Sequence, residues 1–243
     1  MPAPLPLFGL NVPIVPGLVL PLHVFEPRYR ELVASLLDEP DEELREFGIV
    51  FVREGHDPST EGMDALFSVG VSVMLRQAER LDDGRYDIVT SGYRRFRLLA
   101  VDTSRPLLRG DIEWLDDQTG LDDAVVTLLA GQVARAFGAY RDALTGQVTG
   151  SVLEVDATVD GDATDDDGNL RASDLPADPT VLSYLVTAAM VLPIDERAGL
   201  VAAATTQDRL ALALRLLRRE TALIRVFGCV PALELPGPAP SLN

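Results

Sequence analysis

Leu5-Pro6-Leu7-Phe8 opens the stretch whose reading decides the fold, and Val15-Pro16-Gly17-Leu18-Val19-Leu20-Pro21-Leu22-His23-Val24-Phe25-Glu26-Pro27-Arg28-Tyr29-Arg30-Glu31-Leu32-Val33 completes it. Two short apolar runs are punctuated by proline, which offers no ladder donor and therefore suits edge strands. Pro16-Gly17 between them is a turn signal. Glu26-Pro27 then opens a helix. The residue before a proline stays extended, and proline at the first helical position removes an amide that has no helical partner anyway. Tyr29, Leu32, Val33 and Leu36 follow at helical spacing. The expectation is a strand pair that feeds directly into an amphipathic helix over 27–38.

Downstream, Pro40 and the acidic run Asp41-Glu42-Glu43 start a short helical turn. Phe47 to Arg53 is apolar on both faces, as a buried strand requires. Leu66 to Glu79 reads as a strand, and Gly70 inside it predicts a bulge or bend that helps a sheet curl. Asp82-Asp83-Gly84 is a hairpin turn, and Arg85 to Thr90 is the returning strand. In the next run, period 2 places Arg94, Phe96 and Leu98 on one face and Tyr93, Arg95 and Arg97 on the other. Leu107 to Trp114 is the last strand. Short strands with turn signals and one early helix predict a curled, barrel-like β unit over residues 1–118.

The pattern changes at Gly120. Val125, Leu128, Leu129, Val133, Ala136, Phe137 and Tyr140 recur at helical spacing within Leu121 to Leu144, behind Asp122 and Asp123 in the first turn. Residues 145–177 are rich in aspartate and glycine and read as a mobile loop, with a local hairpin over Val152 to Val159. Asp178-Pro179 caps a helix whose stripe is Val181, Leu182, Leu185, Val186 and Ala189, stopped by Pro193. Asp195 caps a short helix through Val201. Thr205 with Asp208 starts the last helix, which runs to Val226 with Leu210, Ala213, Leu214, Leu217 and Ile224 inward. The fold class is thus α+β: a β barrel with one early helix, then a helical bundle over 119–230, then a Pro-rich disordered tail over 231–243.

Composition limits the chemistry. The 243 residues are 47% hydrophobic and 24% charged, as in an ordinary globular chain with a sizeable core. No apolar run reaches the ~18 residues that span a bilayer. The N-terminus has no basic region and its apolar part is broken by prolines, so the expected address is cytoplasmic. The formal charge of −17 opposes nucleic acid and anionic lipid as partners. All 21 basic residues are arginine. A phosphate-binding P-loop needs its lysine, and Schiff-base and Ser–Lys catalysis need one too, so none of the three is encoded. Cys229 stands alone and forms neither an internal disulfide nor a Cys-x-x-Cys site; it reads as a small buried hydrophobe.

His23, set among apolar residues, reads as a histidine holding a backbone group, and His56 lies in a distant polar loop; together they lack zinc spacing. There is no Gly-x-Ser-x-Gly elbow. Asp156, Asp160, Asp162 and Asp167 with Gly161 partly match a calcium loop, but aspartate holds the twelfth position and no clear helices flank it, so a solvated loop is the preferred reading. Glu26 and Arg28 read as local capping and ion-pair contacts that pin the first helix to the barrel. No cofactor and no metal are expected.

The opening motif resembles the signature of the Lon protease N-terminal, substrate-binding domain family. Phe47-Gly48-Ile49-Val50-Phe51-Val52-Arg53-Glu54-Gly55, Gly70-Val71, the run from Asp83 to Leu99, and the helices beginning at Asp178-Pro179 and containing Arg209-Leu210 continue the resemblance in order over 5–230. The resemblance implies a PUA-like pseudo-barrel followed by a helical bundle, and a role in recognising protein segments. It also implies a free-standing module without the ATPase and protease parts. The expected function is a non-enzymatic protein- or peptide-binding module, an adaptor in protein quality control, with polypeptide clients or a protease partner. Binding would use an apolar area with an acidic rim. Phe25, Tyr29, Tyr93 and Arg95 are the candidate binding residues at the barrel surface or its helix junction, the first two leaning toward core. RNA binding on the PUA-like barrel and an enzyme with an unrecognised carboxylate site stay open as alternatives.

Overall fold

β1 (Leu5–Leu10), β2 (Val19–Val24) and α1 (Pro27–Leu37) form where the opening stretch places them. Then come β3 (Glu46–Phe51), the one-turn α2 (Pro58–Glu61), β4 (Val69–Arg80), β5 (Tyr86–Asp102) and β6 (Arg109–Leu115). Four helices complete the chain: α3 (Asp123–Thr145), α4 (Pro179–Ala189), α5 (Ile194–Ala202) and α6 (Thr206–Phe227). The computed structural model describes residues 4–11, 14–145 and 175–227. Cys229, residues 146–174 with the calcium-like spacing and the Val152–Val159 hairpin, and the tail 231–243 lie outside the described residues.

The six strands run in the order β2-β5-β4-β3-β1-β6, and β5 also pairs with β6, which closes the sheet on itself. β5 makes this possible. It is a single strand of 17 residues, not two, and its length lets one end pair with β2 and the other with β6. The strand-pair expectation is corrected here. β1 does not pair with β2; it lies between β3, to which it is parallel, and β6. β1 is therefore an inner strand, and Pro6 is tolerated because it falls at the strand's start. β2 is a true edge.

Phe96 and Leu98 share a face as expected, but period 2 does not run unbroken through β5. Val73 faces Gly92 while Val71 faces Arg95, so two residues of β4 span three of β5. The extra residue at Tyr93–Arg94 is a β-bulge, and it flips the parity of the strand. Tyr86 and Ile88 before it join the core beneath α1, whereas Phe96 and Leu98 after it join the barrel interior with Leu7, Val50, Leu66 and Leu108. Gly70 exists for close approach: a Cβ there would stand 2.5 Å from the Ile49 carbonyl oxygen and 2.5 Å from the Phe96 ring.

In α1, the expected Tyr29, Leu32, Val33 and Leu36 are all buried, each contributing about 1.5–3 kcal/mol. Glu26 gives no side-chain cap; its carboxylate accepts from Arg28 Nε at 2.9 Å. Asp178 caps α4 through the Thr180 and Val181 amides, and Thr205 with Asp208 caps α6. Asp195 does not cap α5; Pro193 holds that position. The α3 stripe is Val126, Val133, Phe137 and Tyr140, while Val125 and Leu128 face outward, as does Val181 of α4. Tyr184, Ala198 and Val201 belong to the same core cluster as β3, β4 and α1, so the bundle is seated on the sheet.

Candidate polypeptide-binding edge

β2 has a hydrogen-bonded neighbour on one side only. The Gly92 amide donates to the Leu18 carbonyl at 2.8 Å, next to the pair Val19–Ser91. That makes Val19–Ser91 a non-hydrogen-bonded pair, and in an antiparallel ladder Pro21–Val89 and His23–Asp87 alternate with it in the same class. The backbone groups of Val19, Pro21 and His23 therefore point away from β5. Pro21 costs the ladder nothing because its missing amide lies on that open side. Val19 is 59% exposed and Phe25, at the strand's end, 60%.

A shallow groove of about 540 Å³ runs across β2, β5 and the far end of β4, lined by Leu22, His23, Gln77, Ala78, Asp87 and Ile88. Register puts Leu22, Ile88 and Ala78 in one cross-strand row. His23 does not hold a backbone group as expected; it is exposed and bonds to side chains, with Nδ1 2.6 Å from Asp87 Oδ1 and Nε2 2.9 Å from Arg85 Nη1. Arginine can only donate, so Nε2 accepts and the proton sits on Nδ1, facing the carboxylate. The His23 and Phe25 rings stand 6.4 Å apart, giving the edge an aromatic end. A strand edge flanked by exposed Val19 and Phe25 can hold an extended peptide by main-chain pairing.

The four candidate residues do not form one site. Phe25 is at the edge, exposed where core was expected. Tyr29 is core: its ring stacks on Phe8 at 3.7 Å, its hydroxyl accepts from the Gly9 amide, and burial pushes its phenol up. Tyr93 is exposed on the bulge beside Arg94, whose guanidinium lies 3.5 Å from the Trp114 ring centroid. Arg95 is 2% exposed and lies in the junction of barrel and bundle, not on the barrel surface.

Asp117, just past β6, is the hub of that junction. Its Oδ1 is 2.9 Å from Arg95 Nη2, accepts from the Tyr184 hydroxyl at 2.5 Å, and stands 3.5 Å from Arg209 Nη2, an ion-pair distance without hydrogen-bond geometry. Arg95 also donates to the Val201 and Ala203 carbonyls, and Arg209 to Ser183 and the Leu200 carbonyl. Burial drives the Tyr184 phenol far above its ordinary range, with the nearby Arg209 guanidinium pulling partly back. One carboxylate oxygen held by two guanidiniums and a phenol ties the barrel to the bundle. Arg95, Tyr184 and Arg209 are all buried at this junction. Among the described residues no cluster of three or more His, Cys, Asp or Glu side chains is placed to hold a metal ion, and no helix is long and apolar enough to cross a membrane.

Sequence reasoning missed the His23–Asp87–Arg85 set and the Asp117 hub, since both join residues far apart in the chain. Pro21 was the available signal for the free edge.

A closed mixed sheet backed by a helical bundle and presenting one open strand defines an α+β fold. The chain belongs to the ATP-dependent protease La (LON) substrate-binding domain family, whose model matches residues 4–219. It is 24% identical over 216 residues to Lon protease 1 of Hydrogenovibrio crunogenus, covering 88% of this chain and 23% of that protein. It is 24% identical over 227 residues to the Lon protease of Anaeromyxobacter dehalogenans, covering 93% and 24%. The chain thus spans about a quarter of the length of these curated relatives. Among solved structures, a Lon N-terminal domain protein from Xanthomonas campestris superposes with a TM-score of 0.56 at 20% identity, over 87% of this chain and 96% of that one. The N-terminal domain of Mycobacterium avium complex Lon protease gives 0.59 at 16% identity, over 88% and 97%. These structures share the fold.

Proposed function

We propose that this protein is a non-enzymatic, cytoplasmic polypeptide-recognition module that takes an extended client segment along the β2 edge and serves a proteolytic partner as an adaptor. The open main-chain row of Val19, Pro21 and His23 carries the reading. Main-chain pairing supplies sequence-tolerant affinity, as capture of varied clients demands, and the exposed Val19 and Phe25 side chains add apolar area. The formal charge of −17 steers cationic segments toward the module. The sequence has no lysine to serve a nucleotide-phosphate loop or a Ser–Lys pair, which supports recognition rather than cleavage as the work of these residues.

The test is fluorescence anisotropy with a labelled decapeptide alternating valine and arginine. Proline at Val19 and His23 removes the two remaining outward amides without touching the ladder to β5. Val19→Pro/His23→Pro is expected to weaken binding at least about tenfold with an unchanged circular dichroism spectrum. Unchanged affinity in that variant would remove the edge from the reading.

A further inference from the structure

A second surface, on the opposite class of element, has the reverse electrostatic character. A groove of about 420 Å³ lies between α3 and α6, lined by Gln132, Arg135, Ala139, Arg218, Ala222 and Arg225 among others. No carboxylate lines it. Acidic residues outnumber basic ones 38 to 21 in this chain, so three arginines gathered without an acidic neighbour need their own explanation. Among the described residues, Arg135, Arg218 and Arg225 form no ion pair, whereas Arg219 on the next face of α6 is held by both Glu196 and Glu220.

The outward faces have a heptad rhythm. Val125, Leu128, Gln132, Arg135 and Ala139 on α3 alternate spacings of three and four, as do Arg215, Arg218, Ala222 and Arg225 on α6. That spacing is the seam one helix presents to another. Alanines at 136, 139 and 222 keep the groove floor low, so a third helix can approach closely. Val125 and Leu128 are exposed apolar side chains at one end of the α3 face. The other end is cationic.

We propose that the α3–α6 groove docks an acidic amphipathic helix of a partner protein, with apolar side chains over Val125 and Leu128 and carboxylates paired to Arg135, Arg218 and Arg225. Guanidinium–carboxylate pairs supply direction and register, and the apolar end supplies area. The general field of the chain repels such a partner, so only a helix that matches the arginines is admitted. This surface is separate from the β2 edge, and a client and a partner can be held together.

The experiment uses the full chain and a fluorescein-labelled 21-residue peptide with leucine at heptad a and d and glutamate at e and g. Its control carries glutamine for each glutamate. The acidic peptide is expected to bind at least about tenfold more tightly than the control. Arg135→Gln/Arg218→Gln/Arg225→Gln should abolish that preference, and Ala222→Trp, which fills the floor, should weaken binding of the acidic peptide with all arginines intact. Val19→Pro/His23→Pro should change nothing, so failure of this site and failure of the edge are distinguishable. Equal binding of the two peptides, wild-type affinity in the triple variant, or preferred retention of a single-stranded RNA at the same salt would each overturn the proposal.

Discussion

Asp117 sets the largest consequence that one side chain has here. Removing it leaves Arg95 and Arg209, at 2% and 0% exposure, as buried cations without a counter-charge. Breaking a buried pair by deleting one partner costs about 3–5 kcal/mol, and the partial exposure of Asp117 places this case at the lower end. Asp117→Ala should therefore lose about 3 kcal/mol in urea denaturation, whereas truncating the exposed Asp111 should lose almost nothing; equal losses would show that the hub is not a tie. Gly70→Ala is a second case: its methyl would meet the Ile49 carbonyl and the Phe96 ring, and overpacking of this kind costs about 1–3 kcal/mol, readable in the same titration. Some of this scale was legible in advance. Tyr29, Leu32 and Leu36 follow from helical spacing, and Arg95 lies at the helix junction, one of the two places expected for it, but its burial there is not legible from the run itself. Its burial depends on a bulge and on carbonyls more than a hundred positions away, and local periodicity carries neither.

β2 offers a direct contrast between its two backbone faces. His23→Pro removes an amide that points to open solvent, and Leu22→Pro removes one aimed at β5 opposite Ile88. Loss of a ladder bond leaves its acceptor unsatisfied and costs about 1–3 kcal/mol, so Leu22→Pro should lower the unfolding midpoint clearly while His23→Pro moves it little. The reverse order would mean that the strand's open side has been assigned to the wrong face. Element by element, strand and helix positions were readable because alternation and capping are local. Pairing was not, since a closed sheet is made by β5 meeting both β2 and β6, and no periodicity records a neighbour. The α3 stripe shows the same limit. Val125 and Leu128 are as apolar as Val126 and Val133, and only the placement of α6 and α4 decides which row is covered.

Across the whole molecule, the lack of lysine makes alkaline unfolding unusually simple to interpret. In most proteins lysine and tyrosine titrate together near pH 10. Here arginine keeps its proton through that range, so apart from Cys229 and the amino terminus the tyrosines are what change. Burial raises the phenols of Tyr29, Tyr140 and Tyr184 above the ordinary value of 10.0. These three sit on different parts of the structure, under β1, between the helices and at the junction, so their titration reports on the entire fold. A raised folded-state value means that the native form holds its proton after the unfolded form has released it. Their contribution to stability is complete below pH 10 and is lost as pH rises through the folded values. Each such group adds a slope of about 1.4 kcal/mol per pH unit, so three together give about 4 while all remain protonated in the fold. Urea midpoints taken at pH 8, 9, 10 and 11, with phenolate absorbance followed alongside, should stay level to about pH 9.5 and then fall steeply. Tyr184→Phe should reduce that slope by about a third, because one of the three linked protons is gone. A flat profile to pH 11, or a slope unaltered by Tyr184→Phe, would show that the phenols ionise within the fold and that the junction is wetter than its geometry indicates.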